Sequence, residues 1–504
     1  MDSGDDSLNT ADLTWLGSPA AQQLMAKLAG QPEIPALVAR LRGRESLSPR
    51  RCAMLLEQIR VRQRAAGGKS KFPKSFASRM TGTETGFEQA TDAWIAAYKA
   101  DQLVRRWRRR SFGVSPDSID VLHSPLRPHV IDLCCGIGGD AMAMARRCRV
   151  TGVERDPYTA WCAQWNLGVT DSGSQILVDD ATTLPLGEYD VVHIDPDRRG
   201  GGEHIGRIGG GRTTFLGAYQ PPRDVLDRMI DEHSCVVIKM APGTAAPSEW
   251  ARRAELEWIS RDRECRQQLA WFGGLTNHPG MRRATTIFPV RDPESKKNPD
   301  ENSPTGDENH NGSPPCNNNF VEYVVRTIFG RPGPPVRRDG YSDRRTPIPQ
   351  PHQWIVEPDV AVLAADLTGE IADRINAEPL TSDGAYLLTD PPTLTDPPGA
   401  FDTPTTVPDE LYGQLPIRIF EYPEVMPDDP SQLRARLEQL DLGNLELKLR
   451  DQRLASRRTE ADVHRAIFGR RLKLRGRGTA VLFTLETVDG HRLTILAKRR
   501  PTVS

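Results

Sequence analysis

A glycine-rich turn stands out among the segments that could bind a ligand. It reads Val130-Ile-Asp-Leu-Cys-Cys-Gly-Ile-Gly-Gly-Asp140, so an apolar run leads directly into Gly-x-Gly and then into a helical pattern. Gly136 and Gly138 lack a Cβ atom, which lets the backbone turn tightly and approach a bound group closely. A tight strand-to-helix turn without a ligand has the same pattern. The function of the loop therefore depends on the side chains that accompany it.

Acidic residues end three of the apolar runs downstream of this loop. Glu154 ends the second run, 18 residues after Gly136, where a carboxylate can accept both hydroxyl groups of an adenosine ribose. Asp180 ends the third run, where it can accept a hydrogen bond from an adenine amino group. Asp195 ends the fourth run, where the reacting group of a bound cofactor would lie. This arrangement favours an adenosine-containing cofactor.

Two classes of cofactor fit these residues. The NAD fingerprint Gly-x-Gly-x-x-Gly permits alanine as its last residue, and Ala141 stands three positions after Gly138. Asp132, however, precedes the glycines within the first run. An acid there has little role with a pyrophosphate, whereas it suits a ligand that carries a cationic amino group. The residues favour the cationic ligand and leave NAD as the alternative.

Strands alternating with helices must position these side chains. Five short apolar runs predict strands: Val130–Leu133, Val150–Glu154, Gln175–Val178, Asp190–Ile194 and Cys235–Lys239. Helical stretches at 140–147 and 158–167 separate several of them. This repetition predicts a doubly wound parallel sheet with ligands at the carboxyl ends of its strands. The runs 267–272 and 284–290 have no helix between them and predict an antiparallel pair at one edge.

At these positions the sequence resembles the class I S-adenosylmethionine-dependent methyltransferases. The resemblance rests on three motifs, Asp132-Leu-Cys-Cys-Gly-Ile-Gly138, Val153-Glu-Arg-Asp-Pro157 and Asp195-Pro196. It implies a Rossmann-like core in which Asp132, Gly136 and Gly138 lie near the methionine part of S-adenosylmethionine (SAM). It further implies Glu154 on the ribose, Asp180 near the adenine and Asp195 beside the methyl donor. The predicted cofactor site comprises Asp132, Cys134, Gly136, Gly138, Asp140, Glu154, Asp180 and Asp195.

A narrower resemblance extends over most of the chain. The sequence looks like the bacterial methyltransferases that end in a THUMP-like domain at Lys71-Phe-Pro73, Phe87-Glu-Gln-Ala-Thr91, Tyr98-Lys-Ala100, Ile194-Asp-Pro-Asp-Arg-Arg199 and Ile238-Lys-Met-Ala-Pro-Gly243. Glu357-Pro-Asp-Val-Ala361 and Gly478-Thr-Ala-Val-Leu482 are similar to the terminal domain itself. Because THUMP domains are associated with RNA, chiefly tRNA, the resemblance implies RNA as the substrate.

The segment after the fourth strand is the predicted catalytic segment, with Asp195, Pro196, Arg198 and Arg199 as candidate residues. Amino-methylating enzymes of this fold often carry Asn/Asp-Pro-Pro-aromatic here, whereas this chain has Arg198 at the aromatic position. Asp195 could orient an amine or act as a base. The two arginines could bind a phosphate or carboxylate, or brace the loop against acidic neighbours. The glycine-rich residues 200–211 would form a mobile lid or an inert surface loop.

Charge is distributed unevenly toward the carboxyl end. Residues 351–430 contain 16 acidic and 2 basic residues, whereas residues 431–504 contain 17 basic and 8 acidic ones. Either the two segments pair with each other, or the basic one faces a nucleic acid. The candidate RNA-binding residues are Arg470, Arg471, Lys473, Arg475, Arg477, Lys498, Arg499 and Arg500. A second basic run, Arg105–Arg110, would contact phosphates or end a solvated helix.

Composition excludes several classes of protein. With 504 residues, 38% of them hydrophobic, the chain is too long for a single core. Its net charge of −1 identifies no partner, and no apolar run approaches the ~20 residues of a membrane span. Eight cysteines without a CxxC pair fit neither a disulfide framework nor a zinc finger, so no metal site is expected. With an acidic rather than basic start, the chain is predicted to be cytoplasmic; its oligomeric state is not predicted.

The sequence therefore predicts an α/β protein with a Rossmann-like class I methyltransferase core. A helical N-terminal region covers 1–115, the methyltransferase domain 116–290, a disordered insertion and linker around a short strand 291–350, and an acidic connector with a small, basic α/β THUMP-like domain 351–504. The predicted activity is SAM-dependent methyl transfer to RNA, either tRNA or rRNA. The alternatives are a protein or small-molecule substrate, or a non-catalytic SAM-binding module that interacts with RNA.

Overall fold

The computed structural model divides into two compact units. The first contains 1–255, 267–279 and 287–324, and the second contains 256–266, 280–286 and 325–504. The residues that the structure describes are 10–28, 41–43, 47–65, 71–77, 79–113, 126–168, 173–198, 214–290, 321–335, 348–391, 409–450, 460–469 and 472–501. The predicted insertion 291–319 lies outside them, and the domain boundaries predicted at 115, 290 and 350 stay predictions.

Helices build the amino-terminal part of the first unit. They are α1 (Thr10–Leu16), α2 (Pro19–Leu28), α3 (Pro49–Ala65), α4 (Lys74–Ala77), α5 (Glu84–Gln89) and α6 (Ala93–Phe112). Leu16, Met25 and Leu55 are fully buried in one apolar cluster. The Asp92 side chain begins α6 by accepting hydrogen bonds from two backbone amides, and Gly113 ends it in the left-handed conformation. These helices occupy much of the described part of the region for which the sequence predicts helix.

A parallel sheet follows these helices. It contains β1 (His129–Leu133), β2 (Arg149–Glu154), β3 (Gln175–Val178), β4 (Val191–Ile194) and β5 (Cys235–Met240), in the spatial order β3-β2-β1-β4-β5. The associated helices are α7 (Gly139–Ala145), α8 (Pro157–Leu167), α9 (Arg223–Glu232) and α10 (Ser248–Arg253). All five predicted strands are present. Their carboxyl ends share one edge of the sheet because all five run in the same direction.

The antiparallel strands differ from the prediction. They are β6 (Glu255–Arg261), β7 (Glu264–Gly273), β8 (Arg282–Pro289) and β9 (Tyr323–Gly330). Within the first unit, β7 pairs antiparallel with β5, from Cys235 opposite Gly273 to Met240 opposite Gln268. The predicted direct pairing of 267–272 with 284–290 is wrong, because β6 lies between β7 and β8 in the strand order. Its sequence, Glu-Leu-Glu-Trp-Ile-Ser-Arg, carries two glutamates and so does not show the apolar run by which the other strands are recognised.

The carboxyl-terminal part of the second unit is built on a seven-stranded sheet. Its strands are β10 (Trp354–Pro358), β11 (Glu378–Pro379), β12 (Leu387–Thr389), β13 (Ile417–Val425), β14 (Leu442–Arg450), β15 (Gly478–Glu486) and β16 (Arg492–Arg499), in the order β11-β12-β10-β13-β16-β15-β14. Its helices are α11 (Val360–Ala364), α12 (Thr368–Ile375), α13 (Asp409–Gln414), α14 (Pro430–Glu438) and α15 (Glu460–Phe468). A hairpin turn at Asp489-Gly490 joins β15 to β16, whereas β14 runs parallel to β15.

Ion pairs within this unit join the acidic segment to the basic one. Lys448 contacts Glu357 at 2.5 Å, Arg500 contacts Glu421 at 2.7 Å, and further pairs are Arg436–Glu424, Arg450–Asp383 and Arg492–Asp428. The first of the two alternatives for the uneven charge, pairing between the segments, is therefore present. The mixed α/β fold that the sequence predicts is confirmed. No helix among the described residues is long and apolar enough to cross a membrane.

The basic run near the end of α6 is largely structural. Arg106 is buried, donates to Glu255 at 2.7 Å and to the carbonyl oxygen of Leu275 at 2.9 Å, and lies over the Trp271 ring. Arg109 donates to the carbonyl oxygen of Thr276 at 2.7 Å. Both alternatives considered for this run, a phosphate contact and a solvated helix end, therefore fail for these two arginines.

Replacing Arg106 tests this interpretation. We expect Arg106→Ala to lower the free energy of unfolding by about 3–5 kcal/mol, because Glu255 is left buried without its cation. Urea denaturation measures the change, and Arg110→Ala, an exposed substitution on the same helix, should stay within about 0.5 kcal/mol of wild type. The double variant Arg106→Met with Glu255→Gln should regain most of the free energy of unfolding that Arg106→Ala loses, since neither of its replaced side chains carries a buried charge. If Arg106→Ala lowers the free energy of unfolding by less than Arg110→Ala does, the structural role of Arg106 is contradicted.

Candidate functional site

A cavity of about 300 Å³ opens at the carboxyl ends of the parallel strands in the first unit. Among the described residues, those predicted from the sequence that line it are Cys134, Gly136, Asp140, Glu154, Asp180, Asp195, Pro196 and Arg198. Asp132 and Gly138 do not line it, and Arg199 lies outside the described residues. The lining is acidic, with six carboxylates and two guanidinium groups. Such a wall attracts cations and repels phosphate groups.

The glycine turn forms the floor of this cavity. Cys134, Gly136 and Gly138 all adopt positive φ angles, of 61°, 56° and 83°. The amide of Gly138 donates to the carbonyl oxygen of Cys135 at 3.0 Å, which closes the turn before α7. A Cβ atom on Gly138 would lie in ordinary contact with Ala163 of α8 at 3.4 Å, so it is the left-handed backbone conformation that favours glycine here. The prediction that two glycines shape this turn agrees with the geometry.

Glu154 is held by the turn that it faces. Its Oε2 accepts a hydrogen bond from the Gly136 amide at 3.1 Å, and its Oε1 accepts one from the Asp156 amide at 3.0 Å. Burial raises the pKa of this carboxyl, although the two amides oppose the shift. The carboxylate is fixed in orientation, and each oxygen keeps a second lone pair for a hydroxyl donor.

Asp180 occupies a more exposed wall. Its Oδ1 accepts from the amide of Thr182 at 2.8 Å and from the Thr182 hydroxyl at 2.7 Å. These hydrogen bonds lower the pKa of Asp180. The carboxylate is therefore ionised at neutral pH and held at the cavity rim by its own turn.

A chain of buried charges lies beneath the cavity. Lys99 Nζ lies 2.7 Å from Asp140 Oδ2, and the Thr91 hydroxyl donates to the same oxygen at 2.7 Å. Lys239 Nζ then donates to Thr91 Oγ1 at 2.8 Å and to Asp195 Oδ2 at 2.6 Å. These five residues come from α6, the segment before it, α7, β5 and the end of β4. These contacts thus connect α6, α7, β4 and β5 beneath this side of the cavity.

Asp140 combines a buried ion pair with an unused acceptor atom. Its side chain is 5% exposed, and its Oδ1 makes no hydrogen bond with any residue that the structure describes. Burial alone would raise the pKa of this carboxyl, but the cations of Lys99 and Lys239 together hold it well below its usual range. Asp140 is therefore ionised at neutral pH and paired with Lys99, and it lines the cavity with one oxygen that lacks a hydrogen-bond donor.

Asp132 takes a different position from the one predicted. It is fully buried in β1, where its Oδ1 lies 2.5 Å from His193 Nδ1 of β4. Burial raises the pKa of Asp132, and the nearby His193 opposes that shift. The side chain braces two adjacent strands beneath the turn and does not reach the cavity wall, so Asp140 is better placed to meet a cationic ligand.

The predicted catalytic segment is anchored by a strand-like contact. Asp197 and Gln220 exchange two backbone hydrogen bonds, of 2.8 and 2.9 Å, which bring Gln220 and Pro221 to the cavity wall. Sequence analysis missed these two residues, since nothing in the segment signals the pairing. It also missed Thr91 and Lys99, although both lie in motifs that it had singled out. The glycine-rich residues 200–211 lie outside the described ranges, and so do Arg470 and Arg471.

Comparison with known proteins supplies independent findings. No family model matches the chain. An uncharacterized SAM-dependent methyltransferase, found in two strains of Mycobacterium tuberculosis, is 27% identical over 442 residues, which cover 86% of this chain and 93% of that protein. The crystal structure of a putative methyltransferase from Porphyromonas gingivalis matches with a TM-score of 0.58 and 16% identity, covering 98% of this chain and 100% of the other.

These findings bear on the enzyme class and on the fold separately. The similarity to the M. tuberculosis proteins confirms the predicted class, a methyltransferase, and its predicted cofactor, SAM. The likeness to the P. gingivalis structure spans nearly the whole chain and supports the fold alone. The roles of individual residues in the cavity are tested by none of these comparisons and stay predictions.

The Asp140–Lys99 pair predicts a specific dependence on pH. We expect Asp140→Asn to lower the free energy of unfolding by about 3–5 kcal/mol at pH 6, because Lys99 keeps its buried charge without an anion. The pKa of Asp140 is lower in the folded state than its value of about 3.8 in the unfolded chain, so the ionised carboxylate stabilises the fold above pH 3.8. This stabilisation decreases as the pH falls below that value. The difference between wild type and variant should therefore narrow by about 1 kcal/mol at pH 3.

Urea denaturation at both pH values measures this narrowing. Asp224→Asn, an exposed substitution in the first turn of α9, is the matched control and should show a small difference that stays constant with pH. A deficit of Asp140→Asn that is equal at pH 6 and pH 3 would contradict the depressed pKa.

Proposed function

We propose that this enzyme binds SAM in the 300 Å³ cavity and transfers its methyl group to a nitrogen atom of RNA. The observation that carries the proposal is Asp140, a buried carboxylate that lines the cavity beside the glycine turn and whose Oδ1 accepts no hydrogen bond from any described residue. SAM carries an ammonium group in its methionine part, and such a group supplies the donor and the charge that this oxygen lacks.

The other cavity residues fit the remainder of the cofactor. The fixed carboxylate of Glu154 has one lone pair left on each oxygen for the two ribose hydroxyls. Asp180, at the rim, can accept from the adenine amino group. Gly136 leaves room for close approach, since a Cβ atom there would meet no atom within 4 Å. The parallel strand order and the ligand position at the strand ends support a Rossmann-like class I methyltransferase core.

Asp195 is the residue proposed to act on the acceptor. When bound, SAM supplies the methyl group, and its sulfur keeps the electrons of the broken S–C bond while the lone pair of the acceptor nitrogen forms the new N–C bond. Asp195 Oδ1 makes no hydrogen bond within the described part of the chain and can accept an N–H of the incoming amine. It orients the nitrogen lone pair toward the methyl group and stabilises the positive charge that develops on nitrogen. The nitrogen then releases its proton to solvent.

The choice of RNA depends on the second unit. Lys473, Arg475 and Arg477 alternate with residues that are less exposed, and Leu472 and Leu474 among these pack against an apolar cluster, so the three basic side chains lie on the exposed side of the segment. They are exposed and form no ion pair with any described residue, and the same holds for Lys498. Unneutralised basic side chains spaced along one face suit successive phosphates.

The remaining basic candidates are neutralised. Arg499 pairs with Glu446, and Arg500 pairs with Glu421 while lying over the Trp354 ring at 4.5 Å. This leaves Lys473, Arg475, Arg477 and Lys498 as the phosphate contacts that we propose among the described residues. Their place in a small α/β unit at the carboxyl end supports the interpretation of that unit as a THUMP-like domain.

Label transfer tests the proposed substrate. Purified enzyme and tritiated SAM are incubated with total RNA and total protein from a strain that lacks this gene, so that target sites are unmethylated. We expect label in RNase-sensitive material, and nucleoside analysis then identifies the methylated atom. Asp195→Ala should abolish transfer while it retains binding of S-adenosylhomocysteine (SAH), the neutral product. If the label is confined to protein, the substrate is a protein and the RNA proposal fails. If the label is on a carbon or oxygen atom of RNA, the proposed role of Asp195 is contradicted.

The basic segment predicts a salt-dependent affinity for RNA. We expect Lys473→Gln, Arg475→Gln and Arg477→Gln together to weaken RNA binding and to reduce the slope of log affinity against log salt by about 2, since each phosphate contact adds roughly 0.7. Fluorescence anisotropy measures both quantities. The matched control, Arg436→Gln with Arg450→Gln and Arg492→Gln, removes three basic residues that are already ion-paired. Equal effects of the two triple variants would contradict a specific contact.

A further inference from the structure

Lys239 contacts a residue of the cavity without lining the cavity itself. Its side chain is 7% exposed, and its Nζ lies 2.6 Å from Asp195 Oδ2, 2.8 Å from Thr91 Oγ1 and 3.9 Å from Asp140 Oδ2. Asp195 is 29% exposed and faces the cavity. The ammonium group thus lies behind the carboxylate that is proposed to meet the acceptor.

We propose that Lys239 is a positioning residue that balances the charge of Asp195, and that it thereby limits how strongly the site prefers SAM over SAH. The inference rests on the proposed function, which puts the sulfonium group of SAM beside Asp195. SAM is charged at sulfur and SAH is not. A carboxylate beside that sulfur favours SAM, and a cation behind the carboxylate weakens the preference.

Charge balance matters for the rate as well as for binding. During transfer, positive charge leaves the sulfur and appears on the acceptor nitrogen. An unbalanced carboxylate next to the sulfur would stabilise the bound substrate more than the transition state, which raises the barrier. The Lys239–Asp195 pair reduces this effect. Because Lys239 holds Oδ2 of Asp195, it also fixes the direction of Oδ1 in the same carboxylate.

The surrounding contacts hold Lys239 in this position. Thr91 accepts from Lys239 and donates to Asp140, so the orientation of its hydroxyl hydrogen is determined by its two neighbours. Lys99 in turn neutralises Asp140. Lys99 is thus the nearest cation to Asp140 and Lys239 the nearest to Asp195, so removal of Lys239 exposes mainly the charge of Asp195.

A cycle of four variants isolates this charge effect. The full-length variants Lys239→Met, Asp195→Asn, the double variant, and Lys239→Arg are titrated with SAM and with SAH by calorimetry. We expect Lys239→Met to increase the preference for SAM, the ratio of the SAH and SAM dissociation constants, by roughly five- to tenfold. Asp195→Asn should decrease the ratio by a similar factor. The double variant restores a neutral pair, and Lys239→Arg retains the charge, so both should return close to the wild-type ratio.

A purely structural role for Lys239 predicts a different pattern. Loss of packing or order would weaken SAM and SAH equally, and the two single variants would add rather than cancel in the double variant. Either result would overturn the inference. If Lys239→Met does not fold, Asp195→Asn decides alone, because a ratio that does not fall removes the premise that Asp195 acts on the sulfonium charge.

The cofactor placement is tested separately in the same titrations. Glu154→Ala should weaken SAM and SAH by the same factor, since both carry the ribose. If Glu154→Ala changes neither affinity, the proposed function fails in its cofactor site. If Glu154→Ala weakens both ligands while Lys239→Met leaves their ratio unchanged, only the inference about Lys239 fails.

Discussion

The buried pairing of two lysines with two aspartates is the interaction on which this site depends. An isolated ammonium or carboxylate group inside a protein costs several kcal/mol, and an opposite charge at close range offsets that cost. Lys99 and Asp140, and Lys239 and Asp195, are each within 2.7 Å, and the Thr91 hydroxyl joins the two pairs. Because the partners come from different helices and strands, the ion pairs form only when the first unit is correctly packed. The charge of the cavity therefore depends on that packing.

Charge also separates the tasks of the two units. The cavity of the first unit is lined chiefly by carboxylates, which suits a cationic cofactor and an amine that gains charge during transfer. The same wall is a poor surface for phosphates. In the described part of the second unit Arg436, Lys448, Arg450, Arg492, Arg499 and Arg500 are paired with acids, whereas Lys473, Arg475 and Arg477 are exposed without an acidic partner among the described residues. The proposed affinity for a polyanion and the proposed chemistry on a cation therefore use different parts of the chain.

Local sequence signals predicted much of this molecule. The five parallel strands and the glycine turn follow from β-branched runs and glycine spacing, which act over a few residues. Strand β6 was missed because its two glutamates interrupt the apolar pattern, and their partners lie far away in sequence, as Arg106 does for Glu255. The charged chain beneath the cavity was missed for the same reason, since Lys99 and Asp140 meet only once α6 has packed on α7. Asp132 was assigned to the cofactor site from its place in the motif before the glycines, and its contact with His193, 61 residues away, is not visible in that motif.

The parallel pairing of β14 with β15 has a consequence for synthesis on the ribosome. Residues 451–477 separate the two strands, and β14 has no other neighbour in its sheet. At about 5–20 residues per second, β14 waits for seconds before its partner emerges. During that interval its Leu445, Leu447 and Leu449 are uncovered, alternating with Glu446, Lys448 and Arg450. These intervening charges are the kind of residue that opposes strand aggregation, so they protect the nascent chain before they form ion pairs in the finished one.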